Sequence, residues 1–292
     1  MNKVGIYYAY WTRDWDADFV PFVAKVKTLG FDILEVNAGT VTQMPEAERR
    51  HLKEATHREG IGLTFCIGLS AEYDLASEDS TVRRRGIDFL QRQARMVREM
   101  DSKTLGGIIY GSWPGKLPPG ADKRLFWERS VGSMKEAVRG AEDCGVFFNV
   151  EVVNRFEQYL LNTAAEAVQY VEEVGSDHCR ILLDTFHLNI EEDSFSEAIR
   201  TASAKLGHFH LGETNRKAPG RGKMDWDAVF GALREIGYEG AVVMEPFVVP
   251  GGEVGRDISV FRDLSDGLNL DEEAARAARF VREKIAGAVS AP

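Results

Sequence analysis

The chain has 292 residues, 44% of them hydrophobic and 28% charged, a globular composition long enough to bury a large core. Its formal net charge of −10 argues against a nucleic-acid partner, which recruits a basic face, and leaves a neutral small substrate open. No run of about 18 apolar residues predicts a membrane span, and three cysteines without a CxxC pair, Cys66, Cys144 and Cys179, behind an N-terminus with no long apolar stretch, point to a reducing cytoplasm.

Along the chain, short β-rich runs alternate with longer amphipathic segments. Strands are predicted over 3–8, 31–37, 62–67, 105–110, 146–152, 180–184, 207–211 and 240–245. Helices are predicted near 17–29, 45–59, 79–100, 122–144, 163–174, 195–204, 225–236 and 270–286. Pro45 sits where a first helical residue belongs, and Gly60 closes that segment; Asn162 is placed to cap the helix that Gly175 ends. Each helix supplies a crossover, so the strands run parallel. Eight such units in this length predict a single-domain (β/α)8 TIM barrel over residues 1–292 rather than an open sheet. The stretch 247–267 is the longest irregular one. Loops of that length are often functional, although a surface connection or subunit contact accounts for most such residues equally well.

In an α/β barrel the reactive groups stand at the C-terminal ends of the strands. The last four predicted strands end in Glu151, Asp184, His210 and Glu245. A lone acidic residue there is more often a cap, and Asp184 alone fits one; a lone strand histidine is more often a satisfied core group. Four on four consecutive strands are a different matter. Three converging carboxylates repel one another, and a divalent cation removes the conflict. Three oxygen ligands and one nitrogen favour Mn²⁺, with Co²⁺ or Mg²⁺ also compatible. His208 shares a face with His210 and is placed behind it. The segment Asn154-Arg155-Phe156-Glu157, His187 and Arg216 offer donors and acceptors suited to sugar hydroxyls, although a surface salt bridge accounts for Arg155 equally well; Trp15 and Trp113 offer apolar faces, or simply pack in their loops.

At these positions the sequence resembles the ketose 3-epimerases. The motifs are EVVNRFEQ (151–158), LDTFHLNIEEDSF (183–195), GHFHLGETNR (207–216) and VMEPF (243–247). The opening MNKVG, CIGLSAEYD (66–74) and FGALREIGY (230–238) are most similar to the D-tagatose 3-epimerase branch, beside which stand the D-psicose and L-ribulose 3-epimerases. The resemblance implies a (β/α)8 barrel, metal ligands Glu151, Asp184, His210 and Glu245, and Glu151 and Glu245 as the acid/base pair. It implies that Glu157, His187 and Arg216 hold carbons 1 to 3 of a free ketose. Tyr7, Trp15, Cys66, Ile108, Trp113 and Phe247 match positions that line the far end of the sugar. It also implies Mn²⁺ or Co²⁺ dependence and a homodimer or homotetramer.

The reaction that follows is epimerisation at carbon 3. The proton there is α to the carbon 2 carbonyl and weakly acidic, a metal stabilises the enediolate, and one carboxylate removes the proton that the other replaces on the opposite face. The rival on the same barrel is an aldose–ketose or hydroxypyruvate-type isomerase, which moves hydrogen between carbons 1 and 2. A non-catalytic sugar-binding protein needs neither metal nor paired carboxylates. A barrel endonuclease needs more metal-binding histidines than the six present and a basic groove.

Overall fold

The apolar and β-branched runs become the strands of a closed barrel in a computed structural model that describes residues 2–287. In chain order these are β1 (Val4–Tyr7), β2 (Ile33–Asn37), β3 (Gly62–Cys66), β4 (Thr104–Gly107), β5 (Phe147–Val152), β6 (Cys179–Asp184), β7 (Leu206–Leu211) and β8 (Val242–Met244). Each pairs in parallel with the next, and β1 closes the ring on β8 through Gly5 opposite Val243. The strands are buried along almost their whole length, because side chains fill the barrel within and helices cover it without.

The eight predicted outer helices are present, and their ends follow the capping chemistry. Asp79 and Asp122 each accept a backbone N–H at the start of Ser80–Glu99 and Lys123–Cys144. Gly60, Gly145 and Gly175 take left-handed conformations just past Glu46–Glu59, Lys123–Cys144 and Ala164–Val174. Two cap assignments move by one residue. Pro45 occupies the cap position, and Glu46 is the first helical residue. Thr163, not Asn162, caps Ala164–Val174 by accepting from Glu166 N; the Asn162 amide instead donates 2.8 Å bonds to the carbonyls of Val153 and Gln158 and ties down the loop after β5.

Six strands are shorter than predicted, and at β4 and β8 the early end bears on the site. β4 stops at Gly107, whose φ of +111° turns the chain. A Cβ there would lie 2.2 Å from the carbonyl oxygen of Ile67, so only glycine fits. Ile108 thereby leaves the ladder and faces the barrel mouth. β8 ends at Met244, and Glu245 follows it with its N–H donated to Leu211 O at 3.2 Å. Three short α-helices go beyond the predicted set: Ala38–Gln43 after β2, Thr185–Glu191 after β6, and Gly252–Asp257 within the 247–267 stretch. All three sit at the C-terminal face of the barrel. Among the described residues, no helix is long and apolar enough to cross a membrane.

Candidate active site

β5 to β8 deliver four polar side chains to one point. One ligand atom from each of Glu151, Asp184, His210 and Glu245 can be chosen so that all lie within 4.8 Å of one another. Asp184 and His210 are fully buried; Glu151 and Glu245 are 3% and 7% exposed and face a cleft of about 390 Å³. Asp184 does both things its position allows. Its Oδ1 accepts from Phe186 N and caps Thr185–Glu191, while its Oδ2 faces the cluster.

Without a cation this cluster is electrostatically expensive, and the side chains record it. Burial and the facing Glu245 push the Glu151 carboxyl well above its ordinary range. Burial also raises Glu245, to about 7, against the opposing pull of His210 and Arg216. Burial lowers His210, but the carboxylates of Glu35, Glu245 and Glu151 outweigh it and raise the imidazole to about 10. His210 Nδ1 lies 3.9 Å from Glu151 Oε1 and 3.8 Å from Glu245 Oε1, yet has no hydrogen-bond partner. An orphaned ring nitrogen amid three buried carboxylates is the donor set of a divalent metal with oxygen and imidazole ligands.

The predicted sugar-binding residues surround this point. Arg216 is 7% exposed; one terminal nitrogen lies 3.2 Å from Asp184 Oδ2 and 3.1 Å from Glu245 Oε2, and the other 3.8 Å from Glu157 Oε1. Its guanidinium lies 3.9 Å from the ring centre of Phe186 and 5.1 Å from that of Phe247. Its backbone is left-handed, with φ +60°, held by Arg216 N donating to Glu213 O and Phe247 N donating to Arg216 O. A strained non-glycine residue kept at a pocket wall marks a position that the surroundings over-determine. His187 Nε2 lies 3.8 Å from both Glu151 Oε1 and Asp184 Oδ2, while its Nδ1 meets Asn154 Nδ2 at 2.8 Å. Burial lowers the His187 pKa against the pull of Glu157 and Asp184, favouring the neutral ring. Glu157 accepts from Asn154 Nδ2 at 2.9 Å and Trp113 Nε1 at 3.0 Å; burial opposes its charge, but His187 and Arg216 hold it below the usual carboxylate range.

Above them stands a less polar wall. Tyr7, Cys66 and Ile108 come from the ends of β1, β3 and β4 and line the cleft. Trp15 packs edge-on against Trp113 and Phe247, with ring centres 6.3 and 6.4 Å away, and the three form its roof. The stretch 247–267 belongs to this wall: Asp257 lines the cleft and accepts from Trp15 Nε1 at 2.9 Å. Arg155 is the exception among the polar residues after β5. Its side chain turns outward, 62% exposed, to a paired contact with Glu191. Two groups escaped the sequence analysis, Asp257 and Glu35. Glu35 is fully buried on β2, and its Oε2 lies 2.8 Å from His208 Nε2.

A closed barrel of eight parallel strands with a carboxylate–imidazole cluster at its C-terminal mouth places the chain among the α/β-barrel proteins with a candidate metal site. Residues 23–283 match the family model described as xylose isomerase-like TIM barrel. The chain is 47% identical to the D-psicose 3-epimerase of Ruminiclostridium cellulolyticum, over 96% of this chain and 97% of that one. It is 46% identical to the D-psicose 3-epimerase of Agrobacterium fabrum, over 98% and 100%. A crystal structure of the D-psicose 3-epimerase from Clostridium cellulolyticum H10 with D-tagatose superposes with a TM-score of 0.94 at 46% identity, covering 97% of this chain and 99% of that one. This chain therefore belongs to the ketose 3-epimerase family of isomerases. The branch differs from the expectation: these relatives carry the D-psicose name, not the D-tagatose one. Of the segments that suggested the latter, 66–74 lies along the cleft wall and 230–238 overlaps the outer helix Trp226–Glu235.

Proposed function

We propose that this enzyme interconverts free ketoses epimeric at carbon 3, with D-fructose and D-psicose as its preferred pair, using one Mn²⁺ held by Glu151, Asp184, His210 and Glu245. The observation that carries the reading is the convergence of those four ligand atoms within 4.8 Å at the floor of a sugar-sized cleft. Co²⁺ and Mg²⁺ are compatible with the same donors. When bound, the cation supplies Lewis-acid stabilisation of negative charge on the ketose oxygens.

The chain's own residues do the rest. Glu151 and Glu245, from the nonadjacent positions of β5 and the end of β8, flank carbon 3: one removes its proton and the other returns a proton to the opposite face. Their roles exchange with the direction of reaction. Both carboxyl groups line the cleft that would receive the sugar. Arg216 and neutral His187 orient the oxygens of carbons 1 to 3, assisted by Glu157, and the Arg216 guanidinium meets the charge that develops when the proton leaves. Tyr7, Trp15, Cys66, Ile108, Trp113 and Phe247 enclose carbons 4 to 6. Residues with few hydrogen bonds to give there suit a site that accepts several ketoses.

Running the Mn²⁺-loaded enzyme on D-fructose, D-tagatose and L-ribulose in D2O tests the reaction. Deuterium at carbon 3 of product is the expected result; deuterium at carbon 1 would make it an aldose–ketose isomerase instead.

The metal-free protein should also show the charge conflict in its stability. Glu245, raised from about 4.5 to about 7, withdraws stability as pH climbs between those values; His210, raised from about 6.5 to about 10, gives stability that is lost as pH climbs through that range. A cation competes with these same protons. The gain in melting temperature on adding Mn²⁺ is therefore larger at pH 8 than at pH 5.5. Equal gains at both would contradict the assignment of these ligands.

The same reading takes the enzyme as a cytoplasmic homodimer or homotetramer. Three free cysteines suit a reducing compartment, and Phe156 and Phe261, 67% and 82% exposed, offer apolar surface for association.

A further inference from the structure

Beneath the cluster, on the side away from the cleft, lies a second set of buried charges that the proposed reaction does not use. Glu35 stands on β2 and reaches across the barrel interior to β7. Its Oε2 lies 2.8 Å from His208 Nε2, and its Oε1 lies 2.7 Å from His210 Nε2. All three side chains are at most 1% exposed. The His208 contact is an aligned hydrogen bond; the His210 contact is as short but off the straight axis, so it acts through charge and proximity.

A buried carboxylate is costly unless it is satisfied by partners, and an apolar side chain of similar size fills a barrel core more cheaply. The location of Glu35 gives it a task. An imidazole has two nitrogens, and only one of them in His210 faces the three carboxylates. With Nε2 against Glu35, the ring's proton belongs on that side, and Nδ1 keeps its lone pair toward Glu151 and Glu245. The neighbouring His208, held at the other oxygen with ring centres 5.1 Å apart, stops the Glu35 carboxylate from rotating away.

We propose that Glu35 is a positioning residue, which fixes the tautomer and orientation of His210 from below and so sets the affinity of the cluster for its cation. The inference rests on the proposed function in taking His210 as a metal ligand. It does not depend on which carbon of the sugar reacts. Carboxylates behind metal-bound histidines govern affinity by about 10- to 100-fold.

Glu35→Gln keeps the shape and removes the charge. Manganese affinity, read by titration calorimetry or by the electron paramagnetic resonance of free Mn²⁺, should fall about 10- to 100-fold. The visible absorption of the Co²⁺-loaded protein should shift, because the imidazole is reoriented, and kcat should fall even when metal saturates the site. Glu35→Met separates this role from plain core packing. A structural ion pair replaced by a well-packed apolar group restores the melting temperature of the metal-free protein; a positioning carboxylate so replaced leaves metal affinity low. Wild-type affinity and an unchanged Co²⁺ spectrum in Glu35→Gln would overturn the proposal. So would recovery of both melting temperature and metal affinity in Glu35→Met. Because metal binding is read directly, a wild-type enzyme that failed to label carbon 3 would refute the proposed reaction while leaving this result standing.

Discussion

Glu245→Gln and Glu151→Gln should each lower kcat by about 10²- to 10⁴-fold, the range for loss of a positioned acid or base. Glutamine keeps the length of the side chain and one carbonyl oxygen, so substrate and metal have much the same surface to meet. It cannot accept the carbon 3 proton. Two carboxylates on opposite sides of one carbon also make a finer expectation. With one of them neutralised, the ketose whose proton faces the intact carboxylate still exchanges that proton with solvent deuterium, but does not invert. Its epimer, whose proton faces the glutamine, neither exchanges nor inverts. The two variants should therefore show reciprocal behaviour toward the two epimers by proton NMR in D2O. Both residues also belong to the metal cluster, so metal content is measured on the same samples. Near wild-type turnover in either metal-loaded variant would end the two-base scheme.

Asp184→Asn should separate the metal from the fold. The Asp184 carboxylate caps Thr185–Glu191 through Oδ1 while Oδ2 faces the cluster and Arg216. Asparagine still caps a helix well, so the local fold survives. It brings no negative charge to the cation. Metal affinity should fall by at least about 100-fold, more than for loss of a carboxylate that only supports a ligand from behind. Turnover at ordinary metal concentrations should drop by more than about 10³-fold, because sites of this kind accelerate their reactions chiefly by stabilising developing charge. The melting temperature of the metal-free variant should equal or exceed that of the metal-free wild type. The repulsion of Glu151 and Glu245 by Asp184 has gone, which offsets the weakened contact with Arg216. A variant that bound Mn²⁺ as tightly as wild type would remove Asp184 from the donor set.

Why the cluster was legible in the sequence, and Glu35 was not, follows from the range of the forces involved. Parallel strands ending at one face put their last polar residues side by side, so Glu151, Asp184, His210 and Glu245 can be read from local pattern and strand order alone. Glu35 sits in ILEVN, where alternation accounts for a charged residue as the outward side of an ordinary strand. Its partner His208 lies 173 residues away, and nothing in either segment announces the other. Arg155, open in the sequence between sugar contact and surface salt bridge, is settled by a distant partner. Its neighbours in the 151–158 motif face the cleft, but Glu191 at the end of the short helix after β6 draws it outward.

The fold shows the same division. Caps, closing glycines and apolar stripes marked the long helices. Ala38–Gln43 carries no full stripe and contains a glycine and two threonines, so it forms on the strength of Asn37, which accepts Thr40 N at 3.1 Å, and of its place against the barrel. Gly252–Asp257 has two glycines in six residues and hides the presence of Asp257 at the cleft. At β4 the apolar run continues from Leu105 to Tyr110, and periodicity reads straight through; the positive φ of Gly107 and the closeness of the Ile67 carbonyl stop the strand, which local pattern does not reveal.

The central claim is that side chains from the last four strands meet at a single divalent cation, with a carboxylate on either side of the reacting carbon. Anomalous diffraction from crystals grown with Mn²⁺ and a ketose tests it most directly. The account expects one manganese peak within coordination distance of Glu151, Asp184, His210 and Glu245 together, with carbon 3 of the sugar between the carboxylates of Glu151 and Glu245. A manganese ion bound elsewhere, or a sugar with both carboxylates on the same face of carbon 3, would contradict it.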